Sequence, residues 1–238
     1  YRSHYLCAAD DTVVAPDAIP DDQLGAIWLA YLTAWGCLAW KQQLQRGQIV
    51  AMPAASSSVA LAAAQIVKKL GGISIGLTTR ASKLDTLRQM SECVYDHLLL
   101  TRDPSGDPTA WYKDIKRITD GRGVDVFFDP VAAGQYLETE IRSLAQGGVV
   151  WVYGLLGEPG AVNVTPLIRK AGTIRGWAVA HLAAEPDALE TGYRFILDGF
   201  ASGGFRQHVD RVFKLDDVRE AHTFMEQGRH IGKLVLVP

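Results

Sequence analysis

Along this chain, short continuous apolar runs alternate with stretches in which apolar residues recur at three- and four-residue spacing. The first clear run is Ile49, Val50, Ala51 and Met52. Val59, Ala63, Ile66, Val67 and Leu70 follow on one helical face, and Gly71-Gly72 ends that helix before a second run over 73–77. The pattern then predicts a helix over 82–90, a strand over 97–100 and a helix over 108–119. After Gly121 and Gly123 come a strand over 124–128 and a helix over 135–144 with Tyr136, Leu137, Ile141 and Leu144 on one face. Gly147-Gly148 lead into a strand over 149–153. Such alternation predicts an α/β fold, a doubly wound parallel sheet with helices on both faces, in which ligands bind beyond the carboxyl ends of the strands. Upstream, Pro16 and Pro20 mark a turn, Asp21 or Asp22 caps the helix that follows, and 24–40 reads as a buried helix broken at Gly36. Downstream, 173–179 reads as an edge strand, 209–213 as a strand and 233–237 as a final strand. Between the last two, Leu215, Val218, Ala221 and Met225 form a helical stripe beginning at Asp216-Asp217.

The turn after the first strand reads Ala54-Ala55-Ser56-Ser57-Ser58-Val59-Ala60. Small residues there let backbone N–H groups approach a pyrophosphate, whose charge sits at the positive end of the following helix, and the hydroxyls of Ser56, Ser57 and Ser58 add donors. Serines stand where a glycine fingerprint would, and Ala60 takes its last, close-packed position. For this segment alone, a Ser-rich cap on an alanine-rich core helix is the plainer account. About twenty residues further on, where a dinucleotide fold discriminates between its two cofactors, the chain reads Thr78-Thr79-Arg80-Ala81-Ser82-Lys83. A carboxylate here would take ribose hydroxyls and repel a 2′-phosphate; none is present. Arg80 offers a planar fork of donors, Lys83 a point charge, and Thr78, Thr79 and Ser82 small hydroxyls. A solvated basic loop is the alternative, but the register of the two segments favours NADPH over NADH.

With 238 residues, 48% hydrophobic and 21% charged, the chain can bury a core in one large or two modest domains. Its formal net charge of -2 gives no global attraction to nucleic acid or anionic lipid, so neither is expected as a partner. Residues 24–40 are too mixed for a membrane span. Cys7, Cys37 and Cys93 are few and odd in number, which supports neither a disulfide scaffold nor a four-cysteine zinc lobe and fits a reducing cytoplasm. His4, His97, His181, His208, His222 and His230 are scattered without metal-ligand spacing, and no metal is expected. Serine-nucleophile chemistry at 56–58 lacks the flanking glycines of a strained elbow.

In order along the chain, six segments resemble the medium-chain dehydrogenases/reductases, specifically the zinc-independent NADPH:quinone oxidoreductase branch. They are Leu29-Ala30-Tyr31-Leu32-Thr33-Ala34-Trp35-Gly36, the serine turn, 78–83, Phe128-Asp129-Pro130-Val131, Val152-Tyr153-Gly154 and Gly232-Lys233-Leu234-Val235-Leu236-Val237. The resemblance implies a Rossmann-like NADPH-binding domain over 25–205, with 1–24 a remnant of a β-rich, GroES-like catalytic domain and 206–238 returning to it. Because the chain begins at Tyr1 and most of that second domain precedes this point in the family, the resemblance implies an N-terminally truncated chain. It also implies a homodimer and a small quinone or carbonyl substrate. Residue by residue, it implies that Ser56, Ser57, Ser58 and Val59 meet the pyrophosphate and that Arg80 and Lys83 take the 2′-phosphate. Thr101 then lies near the adenosine, Tyr153, Gly154 and Leu155 near the nicotinamide, and Thr33 below it. Two positions depart from the pattern: Ala60 replaces a glycine, and Gln227-Gly228 stand where many relatives carry an Asn that reaches the cofactor.

Hydride transfer to a quinone or enone needs positioning and stabilisation of a developing oxyanion more than a strong base. No catalytic side chain is assigned. Tyr31 and Tyr153 each carry a possible donor, and packed core aromatics are the plainer account of both. Three readings remain: an NADPH-dependent quinone or enone reductase, a zinc alcohol dehydrogenase relative, and a non-catalytic NADPH-binding protein.

Overall fold

In the computed structural model, residues 2–9, 12–15, 17 and 19–238 are described; Tyr1 and the expected turn residue Pro16 lie outside them. Six strands build one parallel sheet: β1 (Ile49–Met52), β2 (Ile73–Thr78), β3 (His97–Leu100), β4 (Val124–Asp129), β5 (Leu144–Val152) and β6 (Thr173–Gly176). Their order is β3-β2-β1-β4-β5-β6, so the direction of winding reverses between β1 and β4. That is the Rossmann order, and its crevice opens at the carboxyl ends of those two strands. β1 is buried at all four positions, as a central strand covered on both faces requires.

One face of the sheet is covered by α1 (Trp28–Trp35), α2 (Ser58–Lys69) and α8 (Pro186–Ala201), packed around Tyr31, Ile66, Phe128, Ile196 and Phe205. The other carries α4 (Trp111–Ile118) and α5 (Gly134–Ser143), around Trp111, Phe127, Ile141 and Val150. The shorter helices α3 (Ala81–Gln89), α6 (Pro166–Lys170) and α7 (Ala180–Ala183) complete this part of the chain. A second, two-stranded parallel sheet pairs β7 (Val209–Lys214) with β8 (Lys233–Val237) across α9 (Val218–Glu226). Gln65 of α2 couples the two regions: its side chain accepts from Tyr31 Oη at 3.0 Å and Arg206 N at 2.8 Å and donates to the Arg206 carbonyl at 2.8 Å. Among the described residues no helix is long and apolar enough to cross a membrane.

The fold is the one expected from the alternation, with local corrections. Neither Asp21 nor Asp22 caps a helix. Both lie in the first turn of a 3-10 segment, Asp21–Ala26, whose N-cap is Pro20. Gly36 does not break the following helix, which continues in π-helical form over Gly36–Lys41. Its lack of a side chain instead admits Trp177, whose ring would lie 2.6 Å from a Cβ at that position. β5 begins at Leu144 rather than after the glycines, because Leu144 already pairs with Val124 and residues 145–148 are absorbed as an irregularity before Val149 pairs with Val126. α8, the longest helix among the described residues, was not anticipated.

Candidate functional site

The chain leaves β1 through Pro53 and turns at Ala54, which adopts a left-handed φ of 51°. Ser57 is the N-cap of α2: its backbone N–H donates to Ala54 O at 2.8 Å, and its Oγ accepts from Ala60 N at 3.2 Å. Among the described residues, no acceptor takes the Ser58 or Val59 N–H. Two donors at the positive end of a twelve-residue helix therefore point out of the turn. Ala60 is fully buried, so the alanine fills the close-packed position without lifting the helix. Ser58 lines a narrow crevice of about 10 Å³ with Tyr31 and His208. Ser57→Ala is expected to lower stability by about 1 kcal/mol through loss of the cap, measured by denaturant titration.

At the end of β2, Arg80 and Ser82 are exposed, Thr78 is buried, and Lys83 is half-buried. Lys83 does not project freely. Its ammonium donates to Ser56 Oγ at 3.1 Å and to the His230 carbonyl at 2.7 Å, while Gly232 N donates to Ser56 O at 2.7 Å. The segment before β8 is thereby fastened to the serine turn. Burial, followed by repulsion from Arg80, lowers the Lys83 pKa, and Asp210 partly offsets this. An Arg80 Nη lies 3.5 Å from the Gln227 carbonyl, a long contact that leaves most of the guanidinium free. Thr101, at the end of β3, turns its hydroxyl inward to the Thr78 carbonyl at 3.3 Å, which also accepts Thr101 N at 2.8 Å. Beside it a cavity of about 320 Å³ is lined by Arg102, Thr109, Trp111 and Tyr136. The larger cavity, about 630 Å³, lies between α4 and α5 near Gly121 and Gly123, at the amino end of β4 and away from the crevice.

Across the crevice, the Tyr153 ring stacks on Phe128 at 3.9 Å. Its hydroxyl is buried, faces Ser57 and makes no hydrogen bond within normal distance; burial, then Asp129, pushes its pKa well up. Gly154 lies so close to Pro130 that an added Cβ would be 2.9 Å from the Pro130 carbonyl oxygen, and Leu155 is 88% exposed. Thr33 is buried in α1: its hydroxyl donates to the Leu29 carbonyl at 2.6 Å, and its own carbonyl accepts from the Trp177 indole at 2.9 Å. Among the described residues no three His, Cys, Asp or Glu side chains converge on a metal-sized site.

Residues 105–236, more than half of the chain, match the family described as zinc-binding dehydrogenase. The chain belongs to the zinc-binding dehydrogenase family. It is similar to the highly reducing polyketide synthase ZEA2 of Gibberella zeae, 30% identical over 94% of this chain and 9% of that protein. It is also similar to a crystal structure titled NAD-dependent alcohol dehydrogenase, 26% identical with a TM-score of 0.78, covering 94% of this chain and 60% of that one. The CurF ER cyclopropanase from the curacin A biosynthetic pathway shares the fold, with a TM-score of 0.82 at 24% identity, covering 97% of this chain and 66% of the other. The chain thus spans about a tenth of the synthase and under two thirds of the alcohol dehydrogenase. The resemblance to medium-chain dehydrogenases/reductases is borne out.

In this zinc-binding dehydrogenase chain, sequence reasoning missed several residues that shape the crevice. Asp129 closes the turn after β4 by accepting Val131 N at 2.6 Å and Ala132 N at 2.8 Å. Tyr95 donates its hydroxyl to the Ala55 carbonyl at 3.1 Å and so braces the serine turn from below. Glu140 carried one signal: it falls three residues after Leu137 on the buried stripe of α5, where an acid has no ordinary reason to be.

Proposed function

We propose that this chain forms the dinucleotide-binding part of an NADPH-dependent reductase that delivers hydride to the β-carbon of an α,β-unsaturated carbonyl, or to a quinone. The observation that carries this reading is the exposed Arg80 at the end of β2, in a segment without a carboxylate. Its guanidinium offers a bidentate partner to the additional phosphate of NADPH, with Ser82 beside it. The free Ser58 and Val59 N–H groups fit the pyrophosphate. Lys83 uses two of its three donors to hold the serine turn against the tail, and its charge remains close to the phosphate position. Tyr153, Gly154 and Leu155 wall the nicotinamide side, Thr33 lies beneath it, and Thr101 shapes the adenosine edge through Thr78.

When bound, the reduced nicotinamide supplies the hydride. The chain contributes position: small residues and buried hydrogen bonds fix the crevice walls, so that no strong acid is required. The printed names of the polyketide synthase and the cyclopropanase favour the unsaturated carbonyl over the quinone. We assign the NADPH-binding domain to 25–205 and infer that 1–24 and 206–238 close onto a β-rich domain of the whole protein, in a reducing cytoplasm. β6 is an edge strand carrying the partly exposed Ile174, which suits pairing with a second copy.

The test is calorimetric titration with NADPH and NADH, then addition of a small enone and, separately, a quinone, following the absorbance of the reduced nicotinamide. Preferential NADPH binding with oxidation by the enone is the expected result. Binding without oxidation by either acceptor would place the chemistry outside this chain, and no binding of either nucleotide would overturn the reading.

A further inference from the structure

Beneath the crevice, α5 carries an acid into the interior that no role above uses. Glu140 is fully buried, and neither of its carboxyl oxygens meets an N–H or O–H donor. It faces a second fully buried carboxyl, Asp129 at the end of β4, whose oxygens already accept the Val131 and Ala132 backbone N–H groups. Among the described residues, no Lys, Arg or His forms an ion pair with either acid. The other titratable or charged groups around the pair are Tyr136 on α5 itself, Tyr153 from β5, and Arg102 from the loop after β3, which bears on Tyr136.

Two adjacent carboxylates in a site without a cation cannot both ionise, so the pair keeps a proton. The two backbone donors favour the charge on Asp129, which leaves the proton on Glu140 and converts one of its unpartnered oxygens into a donor. We propose that neutral Glu140 is a positioning residue, donating a hydrogen bond to Asp129 and thereby fixing the 130–133 turn that lines the dinucleotide crevice. That turn has a left-handed residue, Ala132, with φ of 49°, a conformation that needs support from its surroundings. It also anchors the opposite wall: Leu156 N donates to Pro130 O at 2.8 Å and Gly157 N to Val131 O at 3.0 Å. A slackened turn would therefore move both sides of the crevice. The proposal rests on reading this crevice as the dinucleotide site.

The electrostatics agree. Burial first, then Asp129, holds the Glu140 pKa well above the ordinary carboxyl range. A folded-state pKa above the unfolded value means that the stability associated with this proton is fully present at low pH and is lost as pH rises through the raised value.

The test compares the wild-type chain with Glu140→Gln, which keeps a donor and removes the titration, and with Glu140→Leu, which removes both. NADPH affinity is measured by calorimetry and the melting temperature is followed across pH. Glu140→Gln is expected to bind within about twofold of wild type, and its melting temperature should gain on the wild type as pH rises; Glu140→Leu should bind about tenfold more weakly. Parallel melting profiles for wild type and Glu140→Gln would overturn the shared proton. A Glu140→Leu protein that melts lower but binds NADPH normally would overturn the positioning role. Should that variant fail to fold, the Glu140→Gln profile decides alone. A wild-type chain that binds neither NADPH nor NADH overturns the dinucleotide reading instead, and the melting profiles still decide whether the proton is shared.

Discussion

Replacing Arg80 with Ala is expected to weaken NADPH binding by about 1.5 to 3 kcal/mol, roughly ten- to 150-fold, the range for a lost charged hydrogen bond. NADH binding should change by no more than about threefold, since the phosphate that distinguishes the cofactors is the group Arg80 would hold. The residue suits a clean test. Its side chain is exposed and its one protein contact, to the Gln227 carbonyl, is long at 3.5 Å, so the substitution removes little that the fold depends on. Arg80→Lys, retaining charge without the planar fork, should fall between the two. Calorimetry with both nucleotides measures the effect, and an equal loss for NADPH and NADH would sink the assignment.

Gly232→Ala should cost about 3 kcal/mol or more of stability, through strain and steric displacement together. Gly232 has φ of 75°, and a Cβ there would lie 2.3 Å from the His208 carbonyl oxygen, which is backbone and cannot rotate away. Relief requires moving the start of β8. That same residue donates to Ser56 O, and its neighbour but one, His230, accepts from Lys83, so the shift would also detach the tail from the serine turn. Gly47→Ala is the control: φ is 79° but no atom lies within 4 Å, so it should show the conformational cost alone, about 1 kcal/mol. Denaturant titration reads both variants. Calorimetry on Gly232→Ala then asks whether NADPH affinity falls with stability; unchanged affinity would separate the tail from the cofactor crevice.

The positions of the tail and of Lys83 mark where sequence reasoning stops. Arg80 and Lys83 stand three residues apart and looked equivalent as phosphate ligands. The fold separates them, leaving Arg80 in solvent and turning Lys83 into a clamp between Ser56 and His230. Residues 147 positions apart in sequence make that clamp, and no local pattern encodes such a meeting. Thr101 is similar: a hydroxyl at a strand end looked available, but the neighbouring strand supplied a carbonyl acceptor. Gly36 was read as a helix break because glycine is a poor helix former. Its use depends on Trp177, which only folding brings against it.

What the sequence determined alone was periodic and local. Apolar runs and helical stripes are imposed by the two-residue and 3.6-residue repeats of backbone geometry, so strands β1 to β4, their intervening helices and the parallel winding could be read directly. The serine turn and the absence of a carboxylate after β2 were legible for the same reason, since each is a short segment with a fixed relation to a strand end. Only the tertiary structure decided which donors remain free, which acid is forced to keep its proton and which glycine must admit a ring. Those properties are set by burial and by partners distant along the chain, and in a low-dielectric interior it is the partner, rather than the residue type, that fixes the charge and orientation of a side chain.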